Sequence, residues 1–369
     1  MIYFTGDLFL GNDKISISKD IQDMFNNADY IISNLEGVLE NKFFPERKDK
    51  CSVLTFSLNS FNNYLPKIKG KIIFTLGNNH IHDLGTEGLL STKKLLSKHS
   101  KINYFGADTY KNVINPNIFN LCRKKVAFLC VSTEEPEVTA KCAKENYQGI
   151  LSYNDSRIKN IIKQAKKKVD HFVIISHWGR EYIDYPALKL RHKAYNWIDA
   201  GTDLVIGHHP HVIQGKEEYE GKWIYYSLGN YIFPDRYTKK GVKKAWSKDN
   251  CRSVILAIDF SDKILIKETG VIYNKIKNEL QLDEKSFNIF NSKSIPLDRK
   301  NVTTRKYFTI WENNYITCLH SRKRLNIIQK YFPEHKKYSR AWFFLKRLLN
   351  KTKNTRNKMI KNINIFKHG

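Results

Sequence analysis

Cysteines in metal or disulfide patterns, long apolar runs and, towards its end, acids are what this chain lacks. Its six cysteines (Cys51, Cys122, Cys130, Cys142, Cys251, Cys318) fall at irregular intervals with no C-x-x-C pair. That spacing argues against a zinc ribbon and a dense disulfide scaffold and points to a reducing compartment. No uncharged apolar run approaches the roughly 20 residues that cross a bilayer. The opening Met1-Ile-Tyr-Phe-Thr-Gly-Asp7 reaches an acid with neither the basic region nor the apolar core of a secretory signal. A cytoplasmic protein, or one held peripherally on the inner face of the cytoplasmic membrane, is the expectation. No period of solenoid length recurs. Residues 321–369 hold fifteen Lys or Arg against the single acid Glu334, so this stretch supplies +14 of a formal net charge of +27.

What is present is enough for one large core or two modest ones: 369 residues, 41% hydrophobic and 13% aromatic. The remaining +13 suits a protein that meets phosphates, acidic polymers or a lipid surface.

Along the chain, short apolar runs repeatedly end in residues able to bind a metal or carry a proton. Ile2 to Thr5 closes with Gly6-Asp7, and Tyr30 to Leu35 ends in Glu36-Gly37. Lys71 to Gly77 empties into Asn78-Asn79-His80-Ile-His82-Asp83, and Phe172 to Ser176 ends in His177-Trp-Gly179-Arg180-Glu181-Tyr182. Leu204 to Ile206 delivers His208, His209 and His211, and Trp223 to Leu228 ends in Gly229-Asn230. Helices are expected around Ile17–Asn27, Ser60–Leu65 and Gly85–Lys98, in a basic amphipathic stretch capped by Asp155 and running to about Lys168, and around Leu188–Ala200, and the runs Val254–Phe260 and Ile264–Tyr273 read as a hairpin. Beyond about Asn274 the pattern turns polar and weakly periodic.

Any one of these acids or histidines is ordinarily a turn, cap or rim residue. Five strand ends carrying such groups are explained together by one site, because the carboxyl ends of strands are where α/β sheets assemble sites. Carboxylate, carboxamide and imidazole form the ligand mixture of Mn²⁺, Zn²⁺ or Fe, rather than the all-oxygen shell of Ca²⁺ or the thiolates of structural zinc. One or two such divalent ions suit displacement at phosphorus.

In order and spacing, Gly6-Asp7, Asn34-Leu-Glu36-Gly37, Asn78-Asn79-His80 with Asp83 and Gly85, His177-Trp-Gly179 with Glu181-Tyr182, Gly201 to Val212, and Tyr226 to Phe233 resemble the bacterial capsule-synthesis CapA (poly-γ-glutamate biosynthesis) family, a branch of the calcineurin-like metallophosphoesterases. The resemblance implies an α/β fold, a four-layer αββα metallophosphatase-like sandwich, over residues 1–275; beyond it, where the resemblance does not reach, pattern and composition predict a small helical or irregular extension (276–335) and a basic amphipathic tail (336–369). It implies metal ligands at Asp7, Glu36, Asn79, His177, His209 and His211, with Glu36 bridging and His80, beside Asp83, as general acid. His208, Arg180, Glu181, Tyr182 and Asn230 are candidate substrate or supporting contacts. A metal-bound hydroxide would attack phosphorus while His80 protonates the leaving group.

Three departures qualify that carry-over. Phe9 stands where metallophosphatases generally have the His of Asp-x-His, which predicts a weaker second ion site. Leu190 stands where relatives have Gln, and the N-terminal anchor of many poly-γ-glutamate members is expected to be absent. The expected substrate is an anionic polymer or phosphorylated glycan, with capsule-assembly proteins as partners. A non-catalytic assembly component is the alternative. The tail's Trp342, Phe343 and Phe344 among lysines favour an anionic membrane surface or a protein groove over nucleic acid.

Overall fold

The structure is a computed structural model that describes residues 1–12, 14–44, 52–133, 140–237, 243–299 and 302–321. The expected tail, 336–369, lies outside the described residues.

The first half builds one sheet. β1 (Ile2–Leu8), α1 (Lys19–Asn26), β2 (Tyr30–Leu35), α2 (Leu58–Tyr64), β3 (Lys71–Thr75), α3 (Gly85–Ser97) and β4 (Ile102–Phe105) alternate strand and helix, and the four strands pair in parallel. The middle builds a second sheet from β5 (Asn117–Leu121), β6 (Lys124–Ser132), α4 (Ile158–Lys166), β7 (His171–His177), α5 (Leu188–Asp199), β8 (Leu204–His208), β9 (Lys216–Tyr219) and β10 (Lys222–Tyr225), in the order β9-β10-β8-β7-β6-β5. The chain then returns to the first sheet. β11 (Asn230–Ile232) pairs in parallel with the end of β1, and β12 (Arg252–Phe260), β13 (Ile264–Asn274) and β14 (Glu279–Leu282) extend the sheet antiparallel on the side of β1 away from β2.

Side-chain alternation makes the four layers. Ile2, Phe4, Ile32 and Ile73 from the first sheet meet Val126, Phe128, Val173, Ile175, Leu204 and Ile206 from the second in one central core. The alternate residues Tyr3, Ile31, Ile72 and Phe74 face outward onto Ile21 and Phe25 of α1, Phe61 of α2 and Leu89 of α3. On the opposite outside, Ala127, Leu129, Phe172, Ile174 and Val205 pack against Ile158 of α4 and Ala194 and Trp197 of α5. Strands buried on both faces read as continuous apolar runs, which is why these were visible in the sequence.

Two expectations are corrected. Asp155, expected to cap the helix running to about Lys168, does not: α4 begins at Ile158, and the Asp155 carboxylate instead accepts the Arg157 backbone N–H (2.9 Å) in a preceding turn. The strand expected to run from Trp223 to Leu228 stops at Tyr225. Gly229 follows at φ +81° and swings the chain into the other sheet, where its carbonyl accepts the Asp7 N–H at 2.9 Å. That approach needs Gly6, since a Cβ there would stand 2.0 Å from the same carbonyl oxygen.

The first sheet continues past residue 275 through β14. After it, α6 (Glu284–Ser294) packs on β12 and β13 of one sheet and β9 of the other, stacking Phe290 on Tyr225 at 5.9 Å. α7 (Thr304–Ser321) lays Tyr307, Trp311 and Tyr315 on the outer core of the second sheet. Among the described residues, no helix is long and apolar enough to cross a membrane.

Candidate metal centre

The same alternation that forms the central core carries the polar residues to one place. The inward parity of Ile32 continues through Asn34 to Glu36, that of Val173 and Ile175 reaches His177, and that of Leu204 and Ile206 reaches His208. Carboxylate and imidazoles thus arrive from facing sheets at the carboxyl edge of the sandwich. Asp7, Glu36, Asn79, His80, Asp83, His177, His208, His209, His211 and Asn230 are all buried.

Glu36 spans two groups of atoms. Its Oε1 lies 3.6 Å from His177 Nε2, and its Oε2 lies 3.8 Å from His211 Nε2. Around His177 Nε2 also stand Asn79 Oδ1 at 2.8 Å and His209 Nδ1 at 3.1 Å. Asp7 occupies the other side: Oδ1 is 3.1 Å from His208 Nδ1, and Oδ2 is 3.7 Å from His211 Nδ1 and accepts the His209 N–H at 3.1 Å. One atom each from Asp7, Glu36 and His177 can be chosen within 4.8 Å of one another.

These atoms fit a divalent cation better than they fit each other. Asn79 Oδ1, Glu36 Oε1 and His209 Nδ1 gather around His177 Nε2, where at most a proton or two could be shared. His211 Nε2 is buried with no hydrogen-bond partner. Burial, followed by the charges of His209, His208, His211 and His80, pushes the His177 pKa well below its ordinary value, so its neutral, ligating form prevails. Burial pushes the Asp7 carboxyl up. The hydrogen bond and charge of His208, the charge of His211 and the Asn34 amide outweigh that and hold it below the usual range as an anion.

Asn230 orients His211. Its Nδ2 donates to the Asn250 carbonyl (2.8 Å), which turns Oδ1 towards His211 Nδ1 at 2.9 Å. A ring proton therefore sits on Nδ1, which leaves Nε2, on the Glu36 side, as the atom that could take an ion. His80 is set similarly: its Nδ1 lies 2.6 Å from Asp83 Oδ2, which also accepts the Leu54 N–H at 2.6 Å. The fourth candidate of that loop, His82, turns away to the Gln148 carbonyl (2.9 Å) and accepts the Lys141 N–H.

Arg180, Glu181 and Tyr182 are half-buried on the loop after β7. The Tyr182 ring lies 6.0 Å from that of His211, and the Arg180 guanidinium 6.0 Å from the Tyr315 ring. Phe9, in place of an imidazole, joins Phe233 and Trp246 in an aromatic cluster, and the latter two also pack against His211.

Asn34 and Asn78 were missed as site residues. Asn34 Nδ2 donates to Asp7 Oδ1 at 2.8 Å and lies 3.3 Å from both Glu36 Oε1 and His177 Nδ1, so one amide sets three of the central side chains. Asn78 holds Asn34 in turn, donating to its Oδ1 at 3.1 Å. The signal was available in the inward parity of Asn34, two residues before Glu36 on an otherwise apolar strand.

Residues 2–235, which contain all of the candidate ligands together with Asn34, Asn78, His80, Asp83 and Asn230, match the family described as bacterial capsule synthesis protein PGA_cap. The chain belongs to this family. Among curated relatives, the PGA biosynthesis protein CapA of Bacillus subtilis (strain 168) is 28% identical over 249 residues, covering 64% of this chain and 64% of the relative. The capsule biosynthesis protein CapA of Bacillus anthracis is 32% identical over 232 residues, covering 60% of this chain and 55% of the relative. This PGA_cap member thus spans less than two thirds of either relative's length. Among solved structures, a 5'-nucleotidase precursor from Thermus thermophilus aligns over 80% of this chain and 58% of its own, at 14% identity and a TM-score of 0.37, a likeness too weak to carry an argument. The family match ends before β12, so β12 to β14, α6 and α7 lie outside it.

Proposed function

We propose that this protein is a metal-dependent hydrolase of the phosphoesterase type acting in the assembly of a capsule or cell-envelope polymer. The observation that carries the reading is Glu36, whose two oxygens face imidazoles of two different groups, as a carboxylate shared between ion sites would. Asp7, Glu36, Asn79, His177, His209 and His211 would hold one or two divalent ions, with Mn²⁺, Zn²⁺ or Fe suiting that donor set. A bound ion supplies Lewis acidity and neutralises charge at phosphorus. The protein's own part is proton handling and orientation. Asp83 fixes the proton on His80 Nδ1 and stabilises the imidazolium, leaving Nε2 to protonate the departing oxygen. Asn34 and Asn230 hold the candidate ligands in register. The substrate is an anionic polymer or phosphorylated glycan. The partners are capsule-assembly proteins and, through the basic tail, the anionic inner face of the cytoplasmic membrane.

The test combines two measurements on the full chain. Bound metal in the wild type is expected to drop in Glu36→Ala, and Mn²⁺-dependent hydrolysis of a generic phosphodiester is expected to fall about 10²–10⁴-fold in His80→Ala with metal retained. Unchanged metal stoichiometry in Glu36→Ala would remove the proposed site. A second reading, an assembly component that keeps the fold without catalysis, rests on Phe9 filling one imidazole position. It predicts bound metal with no hydrolysis of any phosphoester tried.

A further inference from the structure

The chain that follows the family-matched residues turns back onto the candidate metal centre. Arg236–Tyr237 and Lys243–Lys244 pair antiparallel, which returns the backbone to the centre at Trp246. The Trp246 ring lies 5.5 Å from that of His211, and its indole N–H donates to the Pro234 carbonyl at 3.0 Å. Lys275, just past β13, closes the base of this excursion. Its Nζ donates to Asp235 Oδ1 at 2.9 Å and to the Trp246 carbonyl at 2.6 Å, and the Trp246 N–H donates to the same Asp235 oxygen at 2.9 Å.

Further along, Asn250 completes a ring of hydrogen bonds. Its Nδ2 donates to the His211 carbonyl at 3.0 Å, its own carbonyl accepts Asn230 Nδ2 at 2.8 Å, and Asn230 Oδ1 meets His211 Nδ1 at 2.9 Å. Asn250 Oδ1 accepts the Ser247 hydroxyl at 2.6 Å, so the amide's donor end is the one that faces His211. One residue therefore holds the His211 backbone, at φ +55°, and, through Asn230, the His211 ring. A backbone conformation of that kind persists only where its neighbours over-determine it.

We propose that Asn250 is the positioning residue for His211 and that Trp246, latched by Asp235 and Lys275, holds this clamp in place. Ion binding on the His211 side of the centre then depends on chain beyond the family-matched residues. The inference rests on the preceding reading that the centre holds a divalent ion. That side is also the one with fewer donors. Asn79 and His209 gather around His177 Nε2, which leaves His211 facing Glu36 Oε2 and Asp7 Oδ2. Phe9, standing where the resemblance places a further imidazole, packs against Phe233, and Phe233 and Trp246 are the rings that flank His211. With one imidazole replaced by an apolar ring, the orientation of the remaining one weighs more.

Titration of the full chain with Co²⁺, read by visible absorption and by bound metal, tests this beside thermal unfolding of the metal-free protein. Asn250→Ala is expected to weaken Co²⁺ binding about 10–100-fold, the usual cost of losing an orienting partner. Asn250→Asp keeps the shape but turns an acceptor towards the His211 carbonyl, and should weaken binding at least as much; it decides where Asn250→Ala does not fold. Lys275, whose contacts are with Asp235 and Trp246, acts on the centre through the clamp, and Lys275→Met should weaken binding about three- to tenfold. Lys166→Met is the control: it breaks the Lys166–Asp203 pair at the amino end of β8, so it should lower the unfolding temperature but leave Co²⁺ affinity and spectrum within about twofold. Affinity within about twofold of the wild type in both Asn250 variants or in Lys275→Met, or an equal loss in Lys166→Met, overturns the proposal. A wild type that takes up no Co²⁺ removes the metal centre and the clamp together. Co²⁺ lost in Glu36→Ala but kept in the Asn250 variants preserves the centre and removes the clamp alone.

Discussion

His209 and His211 adopt φ values of +96° and +55°, in the left-handed region that non-glycine residues rarely occupy. The surrounding structure must hold them there: His209 donates its N–H to Asp7, and the His211 carbonyl accepts Asn250 Nδ2 at 3.0 Å. Strain of this kind persists where neighbours over-determine the backbone, and it collects at functional sites. Asn230 is the clearest example of a side chain acting on a candidate ligand through one hydrogen bond. Asn230→Ala is expected to lower Mn²⁺ affinity about 10–100-fold, the usual cost of losing an orienting partner, measured by titration with metal. An unchanged affinity would show that His211 keeps its tautomer without Asn230. The residue types at the strand ends were legible in the sequence because each follows an apolar run. The pairing was not, since the turn that sets His208 against Asp7 and His209 against His177 depends on two backbone conformations that no spacing rule encodes.

At the scale of elements, what could be read divides by burial. β1, β2, β3, β6, β7 and β8 are covered on both faces and stood out as apolar runs, whereas β5, β9, β11 and β14 are short or lie towards sheet edges, with polar residues interspersed. The carboxyl-terminal helices were weakly patterned for the same reason: α7 buries Tyr307, Trp311 and Tyr315 on one face, but Glu312 is buried too. Burial pushes the Glu312 carboxyl up to about 7. A carboxyl whose folded pKa lies above its unfolded value favours folding fully only below the unfolded value, near 4.5, and that contribution is lost as pH rises towards 7. Glu312→Gln, which cannot ionise, is therefore expected to stabilise the protein by up to about 3 kcal/mol at pH 8 and by under about 1 kcal/mol at pH 5. Thermal unfolding at the two pH values checks this, and an equal shift at both would show that the charge is not what the substitution relieves. α5 is tied across the second sheet by a different device. Arg191 donates to both Glu217 oxygens, at 2.9 and 2.6 Å, and to the Leu297 carbonyl at 3.0 Å, while Tyr226 donates to Glu217 at 2.6 Å. Removing one partner of such a buried pair strands the other, so Arg191→Met should cost about 3–5 kcal/mol in denaturant unfolding. A loss below about 1 kcal/mol would mean that Glu217 is reprotonated or rehydrated at little cost.

Across the whole molecule, charge and fold are unequally distributed. The two sheets, their helices and the residues of the candidate metal centre lie within the described residues, whereas +14 of the +27 net charge belongs to residues 321–369. The remaining +13 is spread over 320 residues and is partly neutralised by pairs such as Lys93–Asp108 and Lys216–Glu268. Nonspecific attraction to an anionic surface should therefore be dominated by the end of the chain. Each Lys or Arg near such a surface contributes about 1 kcal/mol before screening, and the effect decays over a Debye length of about 8 Å at physiological salt. The aromatic and aliphatic residues from Trp342 to Leu345 would add an apolar term that salt does not screen. Flotation with phosphatidylserine-containing vesicles is thus expected to recover the full chain at low salt, with a fraction persisting at about 0.5 M NaCl, and to lose both when the chain ends near residue 335. Complete release by salt would reduce the interaction to electrostatics, and equal flotation of the shortened chain would place the membrane-binding surface on the folded core.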